Sequence, residues 1–225
     1  MTLTAGLPSR ETVAAATARA LLEIGAVLLA DSEPFTLTSG RKSPVYVDCR
    51  KVIAYPRVRR AITEFMAATV LRDIGYERID AVAGGETAGI AYAAWLAEAL
   101  GLPMLYVRKK PKGFGRMAQI EGAMAEGTRV LLVEDLATDG GSKLAFCNAL
   151  RDAGGVVTDT MVAFHYAIFP EGEKTLAEHG VRLHGLTTWW DVYRAAADSG
   201  HFAAETLREV RRFLDAPHDW APSEG

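Results

Sequence analysis

Short apolar runs that alternate with helical segments are the feature that most constrains the fold of this chain. The runs Ile79–Ala83, Met104–Val107 and Val130–Val133 are each four or five residues long and almost wholly apolar. Stretches of helical character separate them, such as the alanine-rich segment from Thr87 to Leu100. Parallel strands require such crossover connections and are buried on both faces. The sequence therefore predicts an α/β fold with a doubly wound, mostly parallel sheet and flanking helices.

The N-terminal segment follows a different pattern. Apolar residues recur at helical spacing from Glu11 to Ala30 and predict a first helix. The alternating segments 35–38 and 45–48 flank a turn signal at 39–41, which predicts a hairpin. We expect one domain spanning residues 1–225, in which about residues 10–55 form an N-terminal hood of this helix and hairpin. About residues 56–190 form the α/β core, and about residues 191–217 form C-terminal helices.

Length and charge exclude several classes of protein. The 225 residues are 49% hydrophobic and suffice for a full core, while the net charge of −3 argues against a general binder of nucleic acids or membrane surfaces. Neither a membrane-spanning apolar run nor a secretory signal is recognisable. The only cysteines, Cys49 and Cys147, are too far apart in sequence for a CxxC motif, so we expect neither a disulfide framework nor a cysteine zinc site. We therefore expect a cytoplasmic protein.

The segment Val130–Ser142, with sequence VLLVEDLATDGGS, carries the strongest chemical signal. An apolar strand ends in the adjacent acids Glu134 and Asp135, and a turn of small and hydroxyl residues then opens into a helix. Such a turn and helix N-terminus form a cradle for phosphate. The acids would repel phosphate unless they face neutral hydroxyls or a bridging Mg²⁺, so a sugar phosphate fits both halves. The alternative is a capped strand-to-helix turn with solvated acids.

Two loops add candidate anion contacts. The segment 107–116 holds five cations and no acid, which suggests a mobile lid over a polyanion such as pyrophosphate; a solvated surface loop is the alternative. The glycine-rich turn at 84–89 allows a ligand to approach the backbone, where Thr87 or main-chain N–H groups could meet an anion. A plain strand-to-helix turn would explain the same residues.

The predicted hairpin offers a cover for a flat ligand. Tyr46 and the cations Arg41, Lys42 and Arg50 could cover a planar acidic heterocycle. An edge hairpin with solvated cations explains these residues equally well.

Taken in order, these four segments resemble the type I phosphoribosyltransferases, and within them the orotate phosphoribosyltransferases. VLLVEDLATDGGS resembles the motif that binds phosphoribosyl pyrophosphate (PRPP), and SGRKSPVYVDCR resembles the N-terminal hood signature of the orotate enzymes. VRKKPKGFG resembles their flexible catalytic loop, and GGETAGIAYA resembles their pyrophosphate-binding turn. The resemblance implies transfer of the phosphoribosyl group from PRPP to orotate, giving orotidine 5′-monophosphate and pyrophosphate in pyrimidine biosynthesis.

The resemblance also implies roles for individual residues. Lys112, Arg108 and Lys109 would contact the pyrophosphate during catalysis, and Glu134 and Asp135 would hold the ribose hydroxyls. The remaining PRPP contacts would come from Leu136, Ala137, Thr138, Asp139, Gly140, Gly141 and Ser142 around the 5-phosphate and from Thr87 and Ala88 at the pyrophosphate. Thr138, Tyr46 and Val47 would line the orotate site. Mg²⁺ would arrive with PRPP near the two acids rather than in a protein metal site, and the basic loop would close over the partner subunit's site in a homodimer.

This sequence departs from the family at several positions. Phe114, Thr38 and Ala88 stand where members often have His, Lys and Lys, respectively. The segment 164–170 lacks the arginine that pairs with the orotate carboxylate in many members. Arg41, Lys42 or Arg50 could supply that cation. Two rivals therefore stay open: a phosphoribosyltransferase for another base, and a non-catalytic regulator that senses PRPP.

Overall fold

The computed structural model describes residues 6–30, 33–36, 42–113, 115, 119–138 and 141–221. The α-helices are α1 (Arg10–Glu23), α2 (Pro56–Thr69), α3 (Ala88–Leu100), α4 (Gly141–Asp152), α5 (Pro170–Glu178), α6 (Trp189–Ser199) and α7 (Ala204–Asp215). The strands are β1 (Val27–Leu29), β2 (Phe35–Thr36), β3 (Lys42–Ser43), β4 (Val45–Val47), β5 (Ala81–Gly85), β6 (Met104–Val107), β7 (Ile120–Glu121), β8 (Arg129–Ala137), β9 (Val156–His165) and β10 (Arg182–Thr188). A 3₁₀ helix spans Cys49–Ala54, and a π-helical turn, Val70–Ile74, extends α2.

The central sheet has six strands in the order β10-β9-β8-β5-β6-β7. Its neighbours are parallel except for β7, which runs antiparallel to β6. Sequential strands lie on both sides of β5, which makes the sheet doubly wound. This arrangement confirms the predicted α/β class, with helices flanking a mostly parallel sheet.

Each face of the sheet has its own hydrophobic core, because alternate residues of a strand point to opposite sides. Leu131 and Val133 of β8 face a large core shared with α1, α2, α3, α6 and α7. Val130 and Leu132 face a smaller core that contains Phe146 of α4. The strands are therefore buried on both faces, as their continuous apolar sequences require.

The first helix is shorter than predicted. Ser9 caps its start by accepting a hydrogen bond from the main-chain N–H of Thr12 at 3.2 Å, and the helix ends at Glu23. Gly25 then adopts a φ of 64°, which turns the chain. Val27–Leu29 forms a strand that pairs with β4, so the prediction of a helix to Ala30 is wrong at its C-terminal end. The apolar run Val27–Leu29 is compatible with both the helical and the strand period, and its pairing with β4 makes it a strand.

The predicted hairpin forms with different partners. Phe35 pairs with Ser43 and Thr36 with Lys42, whereas Val45–Val47 pairs antiparallel with β1. The expected pairing of segments 35–38 and 45–48 is therefore wrong, because Val45–Val47 finds its hydrogen-bonding partner upstream of the turn. The turn itself, 39–41, lies outside the described residues.

Other boundaries also shift. Helix α2 begins at Pro56, a residue type favoured at the first helical position, whereas α5 and the two-residue strand β7 were not predicted. Strand β8 continues to Ala137, four residues beyond the predicted end, and Gly84 and Gly85 belong to β5 rather than to a turn. Within the described part of the chain, no helix combines the length and apolarity needed to cross a lipid bilayer.

Candidate active site

The carboxyl ends of four parallel strands meet at one edge of the sheet. Gly85 ends β5 beside Val107 of β6, and Ala137 near the end of β8 lies beside His165 of β9. Open α/β sheets bind ligands at this edge. The predicted acids, the glycine-rich turn and the start of the basic loop all lie here.

Glu134 and Asp135 occupy consecutive positions of β8 and therefore point to opposite faces of the sheet. Glu134 lies against Gly85 and Gly89, since its carboxylate stands where a side chain at either position would go. Asp135 lies on the hood side, where its charge raises the pKa values of Cys49 and Tyr92 in addition to the larger effect of burial.

Glu134 is a buried acid that lacks a partner. Its side chain is among the buried polar groups, with 7% of the residue exposed, and Oε1 has no hydrogen-bond partner among the described residues. The pKa of Glu134 is raised to about 8: burial is the main cause, the charge of Asp135 adds to the rise, and Lys143 and Lys109 oppose it. An unsatisfied buried carboxylate is costly, so this site is suited to a ligand that donates hydrogen bonds.

Asp135 is better satisfied. Its Oδ1 accepts a hydrogen bond from the main-chain N–H of Leu136 at 2.9 Å. Burial raises the pKa of Asp135, whereas Lys143, the bond from Leu136 and the charge of Arg50 lower it. The two acids thus share a cationic neighbour, Lys143, but differ in how completely their oxygens are paired.

Glycines create the space for Glu134. A Cβ at Gly85 would collide with Oε1 of Glu134 and would come within 2.6 Å of the Phe146 ring. A Cβ at Gly89 would meet the carbonyl oxygen of Val133 at 2.5 Å. The glycine-rich sequence therefore serves to bring β5, β8 and the first turn of α3 together.

The first two residues of the predicted phosphate cradle lie in the strand rather than in the turn. Leu136 and Ala137 are part of β8, and Ala137 accepts a hydrogen bond from the main-chain N–H of Tyr166 at 2.9 Å. Thr138 follows the strand, and Gly141 and Ser142 form the exposed first turn of α4. The N-terminus of this helix contributes partial positive charge. Asp139 and Gly140 lie outside the described residues.

The second turn connects β5 to α3. Thr87 is exposed beside the helix start at Ala88, and the peptide bond between Glu86 and Thr87 is cis. Glu86 ties this turn to the basic loop, because its Oε2 accepts a hydrogen bond from the main-chain N–H of Lys109 at 2.7 Å. The two predicted pyrophosphate contacts, turn and loop, are thus neighbours.

The basic loop leaves β6 and returns as β7. Its ends are joined by two hydrogen bonds: the Arg108 N–H donates to the Gln119 carbonyl at 2.8 Å, and Gln119 Nε2 donates to the Arg108 carbonyl at 3.0 Å. Arg108 also forms an ion pair with Glu121 at 3.2 Å. Lys109 and Lys112 are exposed. Phe114 and Arg116 are outside the part of the loop that the structure describes.

The predicted base contacts lie on the hood. Tyr46 of β4 is half-buried, with its ring centroid 5.8 Å from that of Phe35, whereas Val47 is buried in the large core. Tyr166, just after β9, adds a second ring near this place. Burial is the main cause of its raised pKa, and the electrostatic influence of Cys49, Tyr46 and Asp135 adds to it. Thr38 and Arg41 belong to the undescribed part of the hood.

Sequence reasoning missed Lys143 and Tyr166. Lys143 is only 6% exposed, and its Nζ donates to Ser142 Oγ at 3.2 Å. The sequence could have revealed Lys143, because it lies three residues before Phe146 and four before Cys147 and therefore on the same buried face of α4. A cation is unusual on such an apolar face. Among the described residues, no group of three or more His, Cys, Asp or Glu side chains could hold a metal ion.

Comparison with known proteins assigns the family. A scan against models of protein families finds no match. The chain is 61% identical over 213 residues to the orotate phosphoribosyltransferase of Cereibacter sphaeroides strain KD131, covering 95% of this chain and 92% of the relative. The chain belongs to the orotate phosphoribosyltransferase family. The enzyme of Ruegeria sp. strain TM1040 is 59% identical, with coverage of 95% and 94%.

Solved structures of orotate phosphoribosyltransferases share the fold. The crystal structure of the enzyme from Aeropyrum pernix matches with a TM-score of 0.70 and 33% identity, covering 81% of this chain and 99% of that one. The Mycobacterium tuberculosis enzyme, solved in complex with 5-phospho-α-D-ribosyl 1-diphosphate (PRPP), matches with a TM-score of 0.62 and 26% identity, over 79% and 98% of the two chains. These likenesses agree with the resemblance inferred from the motifs.

Proposed function

We propose that this chain transfers the phosphoribosyl group of PRPP to a ring nitrogen of orotate, releasing pyrophosphate and orotidine 5′-monophosphate. The observation that carries the proposal is the pair of buried acids on β8, one with an unpartnered oxygen, directly before the start of α4. Vicinal ribose hydroxyls supply the donors that Glu134 lacks, and the N-terminus of α4 suits the 5-phosphate. A single sugar phosphate would thus satisfy both the two acids and the N-terminus of α4.

The PRPP contacts follow the strand and the helix. Glu134 and Asp135 hold the ribose hydroxyls, and Thr138 lies between the phosphate and the base. The remaining 5-phosphate contacts come from Leu136, Ala137, Asp139, Gly140, Gly141 and Ser142. Small residues in this turn support the proposal because they let main-chain N–H groups approach the phosphate.

The pyrophosphate binds between the glycine-rich turn and the basic loop. Thr87 and Ala88 present main-chain and side-chain donors from one side, and Lys109 and Lys112 approach from the other. The hydrogen bond between Glu86 and the Lys109 backbone supports this placement, because it fixes the base of the loop next to the turn. Arg108 assists from the loop's first position, where its ion pair with Glu121 orients the guanidinium.

The donor set suits Mg²⁺ carried by PRPP. Glu134 offers a buried oxygen without a partner, and carboxylate oxygens are the ligands that Mg²⁺ prefers. Glu134 and Asp135 would hold the ion together with the substrate's own oxygens. Bound there, Mg²⁺ would neutralise charge on the departing pyrophosphate.

Most of the catalysis comes from electrostatic stabilisation of the departing pyrophosphate. Breaking the bond at the anomeric carbon leaves positive charge on the ribose and negative charge on pyrophosphate. Lys109, Lys112 and Arg108 stabilise the leaving group in a site where closure of the loop excludes water, which would otherwise hydrolyse PRPP. The ring N–H of orotate is acidic, and its proton passes to the departing pyrophosphate or to solvent as the new bond forms, so the chain needs no dedicated general base.

The base lies against the hood. Tyr46 covers one side of the orotate ring, Val47 contributes from the strand behind it, and Thr138 borders the ring from β8. The proximity of Tyr46, Tyr166 and Asp135 supports a slot for a planar ligand next to the ribose. The hood, about residues 10–55, is thus the part of the domain that selects the base.

We further propose a homodimer in which each basic loop closes over the partner subunit's site. The family resemblance supports this arrangement, and the exposure of Lys109 and Lys112 is compatible with it. Cys49 and Cys147 are unpaired and buried, which supports a reducing compartment and hence a cytoplasmic location. We expect neither nucleic acids nor membranes to be partners of a chain with net charge −3.

The decisive experiment is an activity assay with matched variants. Incubation with PRPP, Mg²⁺ and orotate is expected to consume orotate, and adenine, hypoxanthine or uracil in its place is expected to give little turnover. The double variant Glu134→Gln/Asp135→Asn is expected to abolish turnover, while Glu64→Gln, at an exposed ion pair on α2, keeps it. No consumption of orotate, or turnover that survives the double substitution, would refute the proposal.

A further inference from the structure

A site that prefers orotate to uracil must recognise the one group that distinguishes them, the ring carboxylate. A carboxylate is recognised best by a cation that donates two hydrogen bonds, which is the strength of arginine. The segment 164–170, at the end of β9 and directly after it, contains no arginine or lysine. The cation must therefore come from another element near the base.

Most cations near the sheet edge already have roles. Arg108 pairs with Glu121, and Lys109 and Lys112 belong to the pyrophosphate loop. Lys143 is buried next to the two acids and donates to Ser142. Among the described residues of the hood, Lys42 uses its Nζ to donate to Thr36 Oγ1 at 2.9 Å.

Arg50 differs from these side chains in how it is held. It lies in the 3₁₀ helix that follows β4, and both its main-chain N–H and its Nε donate to Oδ1 of Asp48, at 3.1 and 2.7 Å. The side chain remains 62% exposed. Within the described ranges, no hydrogen bond engages its terminal nitrogens Nη1 and Nη2. The guanidinium is thus fixed at one edge and open at the other.

Arg50 also has the right neighbours. The bond to Asp48 is the main cause of the raised pKa of Arg50, and the charges of Tyr46 and Asp135 add to it. The 3₁₀ helix that carries Arg50 also packs against β8, the strand of Asp135. The proposed function places the ribose at Asp135 and the base at Tyr46, so a carboxylate on the base comes within reach of Arg50.

We propose that Arg50 is a specificity-determining residue that binds the orotate carboxylate through Nη1 and Nη2, with Asp48 positioning its guanidinium. This inference rests on the proposed function and adds the residue that selects the base. It takes the place of the arginine that this chain lacks after β9.

A thermodynamic cycle with two nucleotides tests the assignment. Orotidine 5′-monophosphate and uridine 5′-monophosphate differ only by the carboxylate, and calorimetry gives the dissociation constant of each for the wild type and for Arg50→Gln. The wild type is expected to prefer orotidine 5′-monophosphate by about 10- to 100-fold, the scale of a charged hydrogen-bonded contact. Arg50→Gln is expected to reduce that preference to about twofold or less while leaving uridine 5′-monophosphate affinity unchanged.

Two further variants separate the contact from general effects. Arg50→Lys is expected to restore part of the preference, because it retains the charge but not the fork. Lys42→Gln and Arg41→Gln are expected to keep the full preference. Any change that Arg50→Gln causes at Asp135 acts on both nucleotides and cancels in the ratio.

The outcomes distinguish this inference from the proposed function. If the wild type consumes orotate but Arg50→Gln keeps the wild-type preference, or if Lys42→Gln or Arg41→Gln loses it, Arg50 is not the carboxylate's partner. If the wild type does not consume orotate, the proposed function fails and this inference fails with it. Loss of the preference in Arg50→Gln alone, with unchanged melting temperature, supports it.

Discussion

At the scale of single residues, Glu134 shows how this site holds an acid in an unfavourable place. The carboxylate is buried against Gly85 and Gly89. Among the described residues, the positive charges of Lys143 and Lys109 are what favours its ionised form. Functional acids are often kept in such positions at a cost to stability. This residue therefore links stability to pH in a predictable direction.

We predict that Glu134→Gln stabilises the fold at high pH. Because the folded-state pKa of Glu134 is about 8 against an ordinary value of 4.5, the folded protein retains this proton in a range where the unfolded chain loses it. Wild-type stability therefore falls as the pH rises from about 4.5 to 8. Denaturant unfolding is expected to show the variant more stable by roughly 2–4 kcal/mol at pH 8.5 and equal at pH 4. A constant difference at both pH values would contradict this account.

Lys112 is predicted to act on the rate of the chemical step. Lys112→Ala is expected to lower kcat/KM by about 10²- to 10³-fold, the effect of losing one preorganised donor to a developing negative charge. Steady-state kinetics with both substrates measures the loss. Lys174→Ala, at an exposed ion pair on α5, serves as the control and is expected to retain wild-type rates. A Lys112→Ala enzyme with unchanged kinetics would remove the loop from the mechanism.

At the scale of elements, the close contact of β5, β8 and α3 depends on residues without side chains. Gly84, Gly85 and Gly89 lie where any Cβ would meet a neighbouring element. The sheet edge therefore leaves just enough space for the carboxylate of Glu134, and a small change there would displace the group that we propose contacts the ribose.

Gly85→Ala is predicted to damage both stability and turnover. Its methyl group would collide with Glu134 Oε1 and press on Phe146, which costs about 1–3 kcal/mol as overpacking. Displacement of the carboxylate is expected to lower kcat/KM by about 10²-fold. Chemical denaturation and kinetics measure the two effects. In a Glu134→Ala background, the stability cost of Gly85→Ala should become smaller, and strict additivity would argue against the contact.

The elements also show which parts of the structure could be predicted. The apolar runs Met104–Val107 and Val130–Val133 were identified correctly, because local pattern and tertiary burial agree there. The strand Val27–Leu29 was not, because its character depends on pairing with β4, a contact that the local sequence does not encode. Strand β7 is too short to leave a pattern.

The site follows the same rule. Glu134, Asp135 and the basic loop could be predicted as site residues because charge beside glycine is visible in a sequence, and their roles stay predictions. The placement of Gly84 and Gly85 inside β5 was not, because it results from their contact with α3 and with a side chain on another strand. Lys143 was overlooked although its position on the buried face of α4 was readable.

At the scale of the whole molecule, the proposed dimer predicts that two inactive variants restore activity when they are mixed. This occurs only if each basic loop completes the site of the partner subunit. Lys112→Ala and the double variant Glu134→Gln/Asp135→Asn are each expected to be inactive alone. Unfolded together and refolded, half of the dimers are expected to be mixed. Each mixed dimer would unite intact acids with an intact loop in one of its two sites.

Activity of about one quarter of the wild-type value is therefore expected, since half of the dimers would carry half of their sites. If each loop serves its own subunit, the mixed dimers have no intact site and activity stays at the background of the variants. Size-exclusion chromatography of the mixture confirms that dimers are present in the sample assayed.

The short antiparallel strand β7 has a consequence beyond the site. The outer edge of a sheet is a template on which strands of other molecules can add, and long, flat edges favour aggregation. Within the described residues, the strand at that edge consists of Ile120 and Glu121, and Gly122 follows it with a φ of 109°. The segment that returns from the basic loop thus also covers β6. Shortening the loop at this end is therefore expected to expose the edge of β6 and to promote aggregation.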